Sequence, residues 1–89
     1  MQSFEADVYK RIVALVQAIL ARNALPTQLD PDAKLVDAGL TSMDMVNLML
    51  SVEAEFDFTI PQGEITPENF QSVETLRQMV VFQLQPTAV

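Results

Sequence analysis

Hydrophobic residues recur at helical spacing over three stretches of the chain. The first stretch follows Ser3, a residue type that caps helices. Its apolar residues recur at helical spacing: Phe4, Val8, Ile12, Leu15, and then the adjacent pair Ile19 and Leu20. The pattern fades at Arg22 and Asn23, and Pro26 cannot continue a helix. The sequence therefore predicts a first amphipathic helix that ends near residue 22.

The next stretch, from Ala24 to Leu40, shows no regular period and is interrupted by Pro26 and Pro31. It is predicted to be a long irregular loop. The loop still carries apolar residues that favour packing against a core: Leu25, Leu29, Leu35 and Val36. A connection of this length is unusual in a compact domain and is often functional.

A second helix is predicted from Thr41 or Ser42 to about Asp57. Both starting residues are good caps. The negative charge of Asp44 in the first turn is stabilised by the positive end of the helix dipole. Its apolar positions cover more than one stripe: Met43, Met45, Val46, Leu48, Met49, Leu50, Val52 and Phe56. Such a helix is either central in the fold or exposes an apolar face.

The remaining chain predicts one short and one longer helix. A single helical turn is expected over 66–70, with Thr66 as its cap and Pro67 at its first position. Ser72 is predicted to cap the last helix, whose apolar stripe is Val73, Leu76, Val80 and Leu84. The tail at 86–89 is predicted to fray. The pattern indicates an all-α protein, a small four-helix bundle of three main helices plus one short helix, in a single domain over 1–89.

Composition narrows the possible functions. Five Lys and Arg residues against twelve Asp and Glu residues give a net charge of −7, which argues against nucleic-acid binding. The acidity favours partners with basic patches, although solubility alone explains it equally well. The amino end does not resemble a signal peptide, and no stretch approaches the roughly 20 apolar residues of a membrane span. A cytoplasmic protein without a membrane span is expected.

The chain lacks both cysteine and histidine. It therefore has no disulfide, no thiol of its own and no Ser-His nucleophile pair. The loop that carries Asp30, Asp32 and Asp37, here called the acidic loop, does not match the spacing of a calcium-binding EF-hand loop. Lys34 stands at its fifth position, and Thr41 stands where the closing Glu belongs. No metal site and no catalytic residue are predicted.

Ser42 follows a loop containing Gly39 and precedes the Met- and Leu-rich helix, and its hydroxyl allows three roles. It could cap the helix, act as a nucleophile, or be modified by another enzyme. The nucleophile role is the weakest because no base lies beside it. A phosphodiester on its Oγ would suit a helix amino terminus, where unpaired N–H groups and the dipole favour an anion.

The stretch D-A-G-L-T-S-M-D over 37–44 resembles the carrier-site signature of acyl carrier proteins. The order of helices over residues 4–84 is also similar to that family. The resemblance implies that Ser42 carries 4′-phosphopantetheine, transferred from coenzyme A by a phosphopantetheinyl transferase. Asp37, Gly39 and Leu40 match the motif before the serine, and Met43 matches the apolar residue after it.

The resemblance also implies that the protein is not an enzyme. It would carry acyl chains as thioesters on the arm, loaded by a ligase or an acyltransferase, and deliver them to synthase enzymes of fatty acid, lipid or polyketide biosynthesis. A monomer is expected. In the second helix, Met43, Asp44 and Glu53 would contact these partner enzymes. Met45 and Leu50 are further candidates for partner contact, and the sequence equally allows them to line a pocket for acyl chains or to fill the core.

The sequence departs from fatty acid carriers at three positions of this region. Thr41 precedes the serine where many of them have Asp, and Asn47 and Ala54 occupy positions that are commonly acidic. These departures favour a specialised carrier, since fewer charges slow association with basic partners. A peptidyl or aminoacyl carrier is the alternative, although the double-Gly motif of peptidyl carriers is absent. A non-enzymatic helical interaction module, with Ser42 only a helix cap, is a further alternative.

Overall fold

The computed structural model describes residues 3–84, and all regular secondary structure in that range is helical. Its α-helices are α1 (Phe4–Arg22), α2 (Leu35–Ala38), α3 (Ser42–Phe56) and α4 (Val73–Leu84), with a 3₁₀-helix at Gln62–Glu64. The predicted all-α bundle of three main helices and one short helix is confirmed. The predicted fraying at 86–89 concerns residues outside the described range.

Helix α1 lies against both α3 and α4 and supplies one side of the core. Ser3 caps it as predicted, because its side-chain oxygen accepts a hydrogen bond from the Ala6 N–H at 3.0 Å. The core residues of α1 follow the helical period: Val8, Ile12, Val16, Ile19 and Leu20. Phe4, which the same period assigned to the apolar stripe, is instead exposed because it lies at the first turn, beyond the core.

The segment predicted to be irregular contains α2, so that prediction was wrong at 35–38. Gly39 ends the helix at φ 111°, its N–H bonding to the Val36 carbonyl, while the Leu40 N–H bonds to the Leu35 carbonyl, both at 3.1 Å. These two bonds form a Schellman motif, and Leu35 and Leu40 both enter the core. A helix of four residues is too short to display a hydrophobic period.

The long loop is held against the start of α4 by backbone hydrogen bonds. The Leu35 N–H donates to the Gln71 carbonyl at 2.8 Å, and the Glu74 N–H donates to the Pro31 carbonyl at 3.0 Å. The loop therefore packs against the rest of the fold, as its apolar residues predicted.

The helical turn predicted over 66–70 is a hydrogen-bonded turn rather than a helix. Thr66 acts as its cap, because Oγ1 accepts from the Asn69 N–H at 3.1 Å, and the Phe70 N–H donates to the Thr66 carbonyl at 3.2 Å. The turn stops there because the Gln71 carbonyl bonds to α2 and Ser72 already begins the next cap. The regular 3₁₀-helix lies just before it, at Gln62–Glu64.

Helix α4 begins as predicted, with Ser72 Oγ accepting a hydrogen bond from the Thr75 N–H at 3.1 Å. Its buried residues are Val73, Leu76, Met79 and Val80. Arg77 pairs with Glu74 on its own helix and with Glu5 on α1, the latter at 2.8 Å. Across residues 3–84, every helix falls short of the length or hydrophobicity needed to cross a membrane.

Candidate functional site

Ser42 is the first residue of α3, and its side chain is exposed. Thr41 is the cap: its Oγ1 accepts from the Asp44 N–H at 3.2 Å, and Asp44 Oδ2 accepts from the Thr41 N–H at 2.9 Å. This reciprocal pair is a capping box. The hypothesis that Ser42 is the helix cap is therefore wrong, and its Oγ has no hydrogen-bond partner among residues 3–84.

Asp44 links the start of α3 to the end of α1. Besides the backbone bond, its Oδ2 accepts from the Thr41 hydroxyl and from Asn23 Nδ2, both at 3.0 Å. The Thr41 backbone N–H, followed by the Asn23 amide, lowers the pKa of Asp44 because hydrogen bonds favour the charged form. The carboxylate thus fixes the helix terminus on which Ser42 stands.

The amino terminus of α3 keeps two backbone donors for a ligand. The N–H groups of Ser42 and Met43 have no acceptor among residues 3–84, whereas those of Asp44 and Met45 bond to Thr41. Free donors and the positive end of the helix dipole favour an anion. A phosphate ester on Ser42 Oγ therefore suits this position chemically.

The residues of the sequence motif hold the chain around Ser42 in different ways. Gly39 allows a turn at positive φ, and a Cβ there would lie 2.6 Å from Leu25 Cδ1. Leu40 is buried in the core and anchors the turn, whereas Asp37 lies exposed at the end of α2. Met43, directly after the serine, exposes 70% of its surface.

A groove of about 610 Å³ lies beside Ser42. Met45, Val46 and Met49 of α3 line one part of it. Its other lining residues come from α2 and the residue before it, and from the segment before α4: Lys34, Val36, Ile65, Thr66, Pro67, Glu68, Phe70 and Gln71. Its volume is within the range of small-molecule sites. The residues at 65–71 could not be predicted as part of the site, because no local pattern in the sequence indicates that they lie beside Ser42.

The five residues predicted to contact partners differ in what they offer. Met43 and Leu50 are exposed, while Met45 is half-buried in the groove. The carboxylates of Asp44 and Glu53 make bonds within the chain, since Glu53 Oε2 accepts from the Ile60 N–H at 2.8 Å. The partner roles of all five stay predictions.

The acidic loop forms a local turn. Asp30 Oδ1 accepts a hydrogen bond from the Asp32 N–H at 2.9 Å, which is an Asx turn. Within residues 3–84, no group of three or more Asp, Glu, His or Cys side chains converges in a way that could hold a metal ion.

Comparison with known proteins places this geometry in a family. The family model described as "Phosphopantetheine attachment site" matches residues 10–81. Aminoacyl carrier protein 1 of Bradyrhizobium diazoefficiens is 72% identical over 86 residues, covering 97% of this chain and 96% of that protein.

Two crystal structures of a Bradyrhizobium japonicum glycine:[carrier protein] ligase contain similar chains. One is a complex with its cognate carrier protein and an analogue of glycyl adenylate: 72% identity, TM-score 0.74, covering 85% of this chain and 99% of that one. The other is a complex with glycylated carrier protein: 74% identity, TM-score 0.70, covering 81% and 97%. The chain belongs to the phosphopantetheine-attachment family of carrier proteins, which hold a covalent 4′-phosphopantetheine and are not enzymes.

Proposed function

We propose that this protein is an aminoacyl carrier protein and that Ser42 Oγ holds its 4′-phosphopantetheine arm. The observation that carries the aminoacyl assignment is the 72% identity, along 97% of the chain, to an aminoacyl carrier protein. The exposed hydroxyl at the start of α3, beside two free backbone N–H groups, supports Ser42 as the attachment residue.

Attachment needs a transferase, because no side chain among residues 3–84 hydrogen-bonds to Ser42 Oγ as an activating base would. Ser42 Oγ forms the new bond to phosphorus, the pyrophosphate bond of coenzyme A breaks, and the nucleotide half of the coenzyme leaves. The chain has no histidine, so the transferase takes the hydroxyl proton. Once attached, the arm supplies the thiol that holds an aminoacyl group as a thioester.

The residues around Ser42 present it rather than activate it. In the Thr41–Asp44 capping box, the two side chains already accept hydrogen bonds from backbone N–H groups at the start of the helix. Ser42 Oγ therefore does not bond to these groups and stays free. The bond from Asn23 to Asp44 holds this terminus against α1. A fixed and accessible hydroxyl is what a transferase requires of its substrate.

The comparisons favour the aminoacyl alternative over the fatty acid, lipid or polyketide role that the motif first suggested. Carriers similar to this chain occur in complexes with a glycine ligase, one of them in glycylated form. The missing double-Gly motif argued against an aminoacyl role, but similarity along nearly the whole chain outweighs one local motif. The proposed partner is therefore an aminoacyl ligase, and the proposed cargo is glycine.

The attachment residue is tested by intact mass after incubation with a phosphopantetheinyl transferase and coenzyme A. The wild-type chain should gain one phosphopantetheine, and Ser42→Ala should gain none. Ser51→Ala, which removes another hydroxyl from the same helix, should gain one. A mass gain that persists in Ser42→Ala would show that another residue carries the arm.

The cargo is tested on the pantetheinylated protein. Incubation with the Bradyrhizobium glycine ligase, ATP and glycine should add one glycyl group. Incubation with an acyltransferase of fatty acid synthesis and its acyl-coenzyme A should add little. Loading by the acyltransferase without loading by the ligase would restore the fatty acid role. The monomeric state, the cytoplasmic location and delivery to a synthase stay predictions.

A further inference from the structure

We propose that Met43 is a site of reversible oxidation, at which a peroxide converts the thioether to a sulfoxide and thereby slows an enzyme that acts on Ser42. The inference rests on the proposed function, because it takes Ser42 as the residue that a transferase modifies. It adds a chemical control of that site which requires no change elsewhere in the fold.

Met43 has the most accessible sulfur-bearing side chain among residues 3–84. It exposes 70% of its surface, whereas Met79 exposes 5% and lies in the core. Met45 and Met49 are half-buried and pack against the core. Because the oxidation of sulfur in proteins follows its exposure, Met43 should react before the other three.

The composition of the chain leaves methionine as the target of an oxidant. The chain has five methionines and no cysteine, so the unmodified protein has no thiol that would react first. With hydrogen peroxide, one oxygen forms a bond to the Met43 sulfur, the O–O bond breaks, and the other oxygen leaves as water. The sulfur is oxidised by two electrons and the peroxide is reduced by the same two.

Oxidation changes what the Met43 side chain offers to a partner enzyme. A thioether is apolar and accepts hydrogen bonds only weakly, whereas a sulfoxide is polar. An enzyme surface that suits an apolar side chain would leave the sulfoxide oxygen without a donor. Burial of an unsatisfied acceptor opposes binding, so the oxidised chain should associate less well.

The position of Met43 directs this change to Ser42. The two residues are consecutive in the first turn of α3, and both are exposed. A transferase that covers the Ser42 hydroxyl therefore also approaches the Met43 side chain. The capping box of Thr41 and Asp44 holds the turn without using this side chain, so oxidation should leave the start of the helix intact.

The test uses the unmodified full chain, treated with hydrogen peroxide and then separated from it. Fragmentation mass spectrometry at increasing doses should locate the first added oxygen on Met43, ahead of Met45, Met49 and Met79. At that dose, the kcat/KM for transfer of phosphopantetheine from coenzyme A should fall about tenfold, as for the loss of one apolar contact at an interface. The melting temperature should equal that of the untreated protein.

Met43→Leu is the diagnostic variant, because leucine keeps an apolar side chain of similar size and has no sulfur. Each variant is compared with itself before and after peroxide, so that a difference in its starting rate does not enter the result. Peroxide should leave the rate of Met43→Leu unchanged. Met79→Leu, the matched control in the core, should lose as much rate as the wild type does.

Reversibility gives a second readout. Methionine sulfoxide reductases for both epimers should return the thioether and restore the rate of the oxidised wild type. Met43→Gln, whose side chain is permanently polar, should have a low rate before any peroxide is added. The reductases should not raise that rate.

Three results would overturn the inference. One is oxidation of Met45, Met49 or Met79 ahead of Met43. Another is oxidation of Met43 without a fall in the rate, and the third is an equal fall in Met43→Leu, which would place the effect on another methionine. Untreated wild type that gains no phosphopantetheine overturns the attachment at Ser42, and this inference with it; that failure is distinguished because it is measured before peroxide is added.

Discussion

The two ends of α3 are both tied to α1, but by opposite chemistry. At the amino end, Asp44 accepts hydrogen bonds from Thr41 and from Asn23 of the α1 terminus. At the carboxyl end, Arg11 of α1 donates to the Glu55 carbonyl at 2.6 Å and to the Glu55 carboxylate at 2.7 Å.

The Arg11 guanidinium also lies over the Phe56 ring, 4.4 Å from its centroid. A cation at a helix carboxyl terminus and an anion at its amino terminus both complement the helix dipole. At the carboxyl end, the Arg11 guanidinium donates a hydrogen bond to the Glu55 carbonyl, so that carbonyl has a partner. The amino end keeps two N–H groups and one hydroxyl without partners in residues 3–84. Helix α3 is therefore fixed at both ends, but only its amino end remains chemically available.

Among changes near the amino end of α3, Gly39→Ala should lower the stability of the protein most. The change places a Cβ at φ 111° and 2.6 Å from Leu25 Cδ1, so it should destabilise the protein by about 2 kcal/mol. Gly63→Ala is the control, because nothing lies within 4 Å of its Cβ, and it should change stability by less than about 0.5 kcal/mol. Urea denaturation measures both. Equal losses would show that the turn before Thr41 does not need glycine.

The capping assignment predicts a contrast between two adjacent hydroxyls. Thr41→Ala should cost about 1 kcal/mol because it removes the cap, while Thr41→Ser should retain most of the stability. Ser42→Ala should lie within about 0.5 kcal/mol of wild type, since no cap is lost. Thermal unfolding of the unmodified proteins measures the series. A larger cost at Ser42 than at Thr41 would contradict the assignment.

A substitution at the carboxyl end of α3 should lower the stability of the fold without changing the attachment of phosphopantetheine to Ser42. Arg11→Gln should destabilise the fold by roughly 0.5–1 kcal/mol, a modest value because this arginine is partly solvated. The neighbouring exposed Lys10, changed to Gln, serves as the charge-matched control and should have a smaller effect. The rate of pantetheinylation should match wild type in both variants. A slower rate in Arg11→Gln would show that the two ends are coupled.

The smallest expected effect is a pH dependence at the amino end. The pKa of Asp44 is lower in the folded chain than its ordinary value of 3.8, so its stabilisation is present above that pH. The contribution is lost as the pH falls through the lower, folded pKa. Melting temperatures across the acid range should therefore fall less steeply for Asp44→Asn than for wild type. Identical slopes would show that this carboxylate contributes nothing to acid sensitivity.

The sequence predicted the main helices because each has strong local signals. Ser3 and Ser72 are caps that the structure confirms, and the hydrophobic period located most of the buried residues of α1 and α4. The sequence alone does not distinguish Thr41 from Ser42 as the start of α3, since both residue types cap helices. Asp44 three residues after Thr41 is the signal that could have decided it, because that spacing permits a reciprocal capping box.

The short elements were harder to predict, for a physical reason. Helix α2 has four residues, fewer than the period needs to become visible, and it is closed by the Gly39 turn and by burial of Leu35. The segment over 66–70 has the cap and the proline of a helix start. The carbonyl of the following residue, Gln71, however, accepts a hydrogen bond from α2 rather than from a continuing helix. Local propensity is overridden where a backbone group has a partner distant in sequence.

The three main helices, the acidic charge, the lack of any thiol or histidine and the motif around Ser42 all follow from the sequence alone. Each of these depends on residue types and on neighbours within a few positions. The folded chain is needed to show that Thr41 leaves the Ser42 hydroxyl free, that Asn23 holds Asp44, and that Lys34 and Glu68 line one groove with Ser42. Those relations join residues far apart in the chain, and only packing around the shared core sets the distances between them.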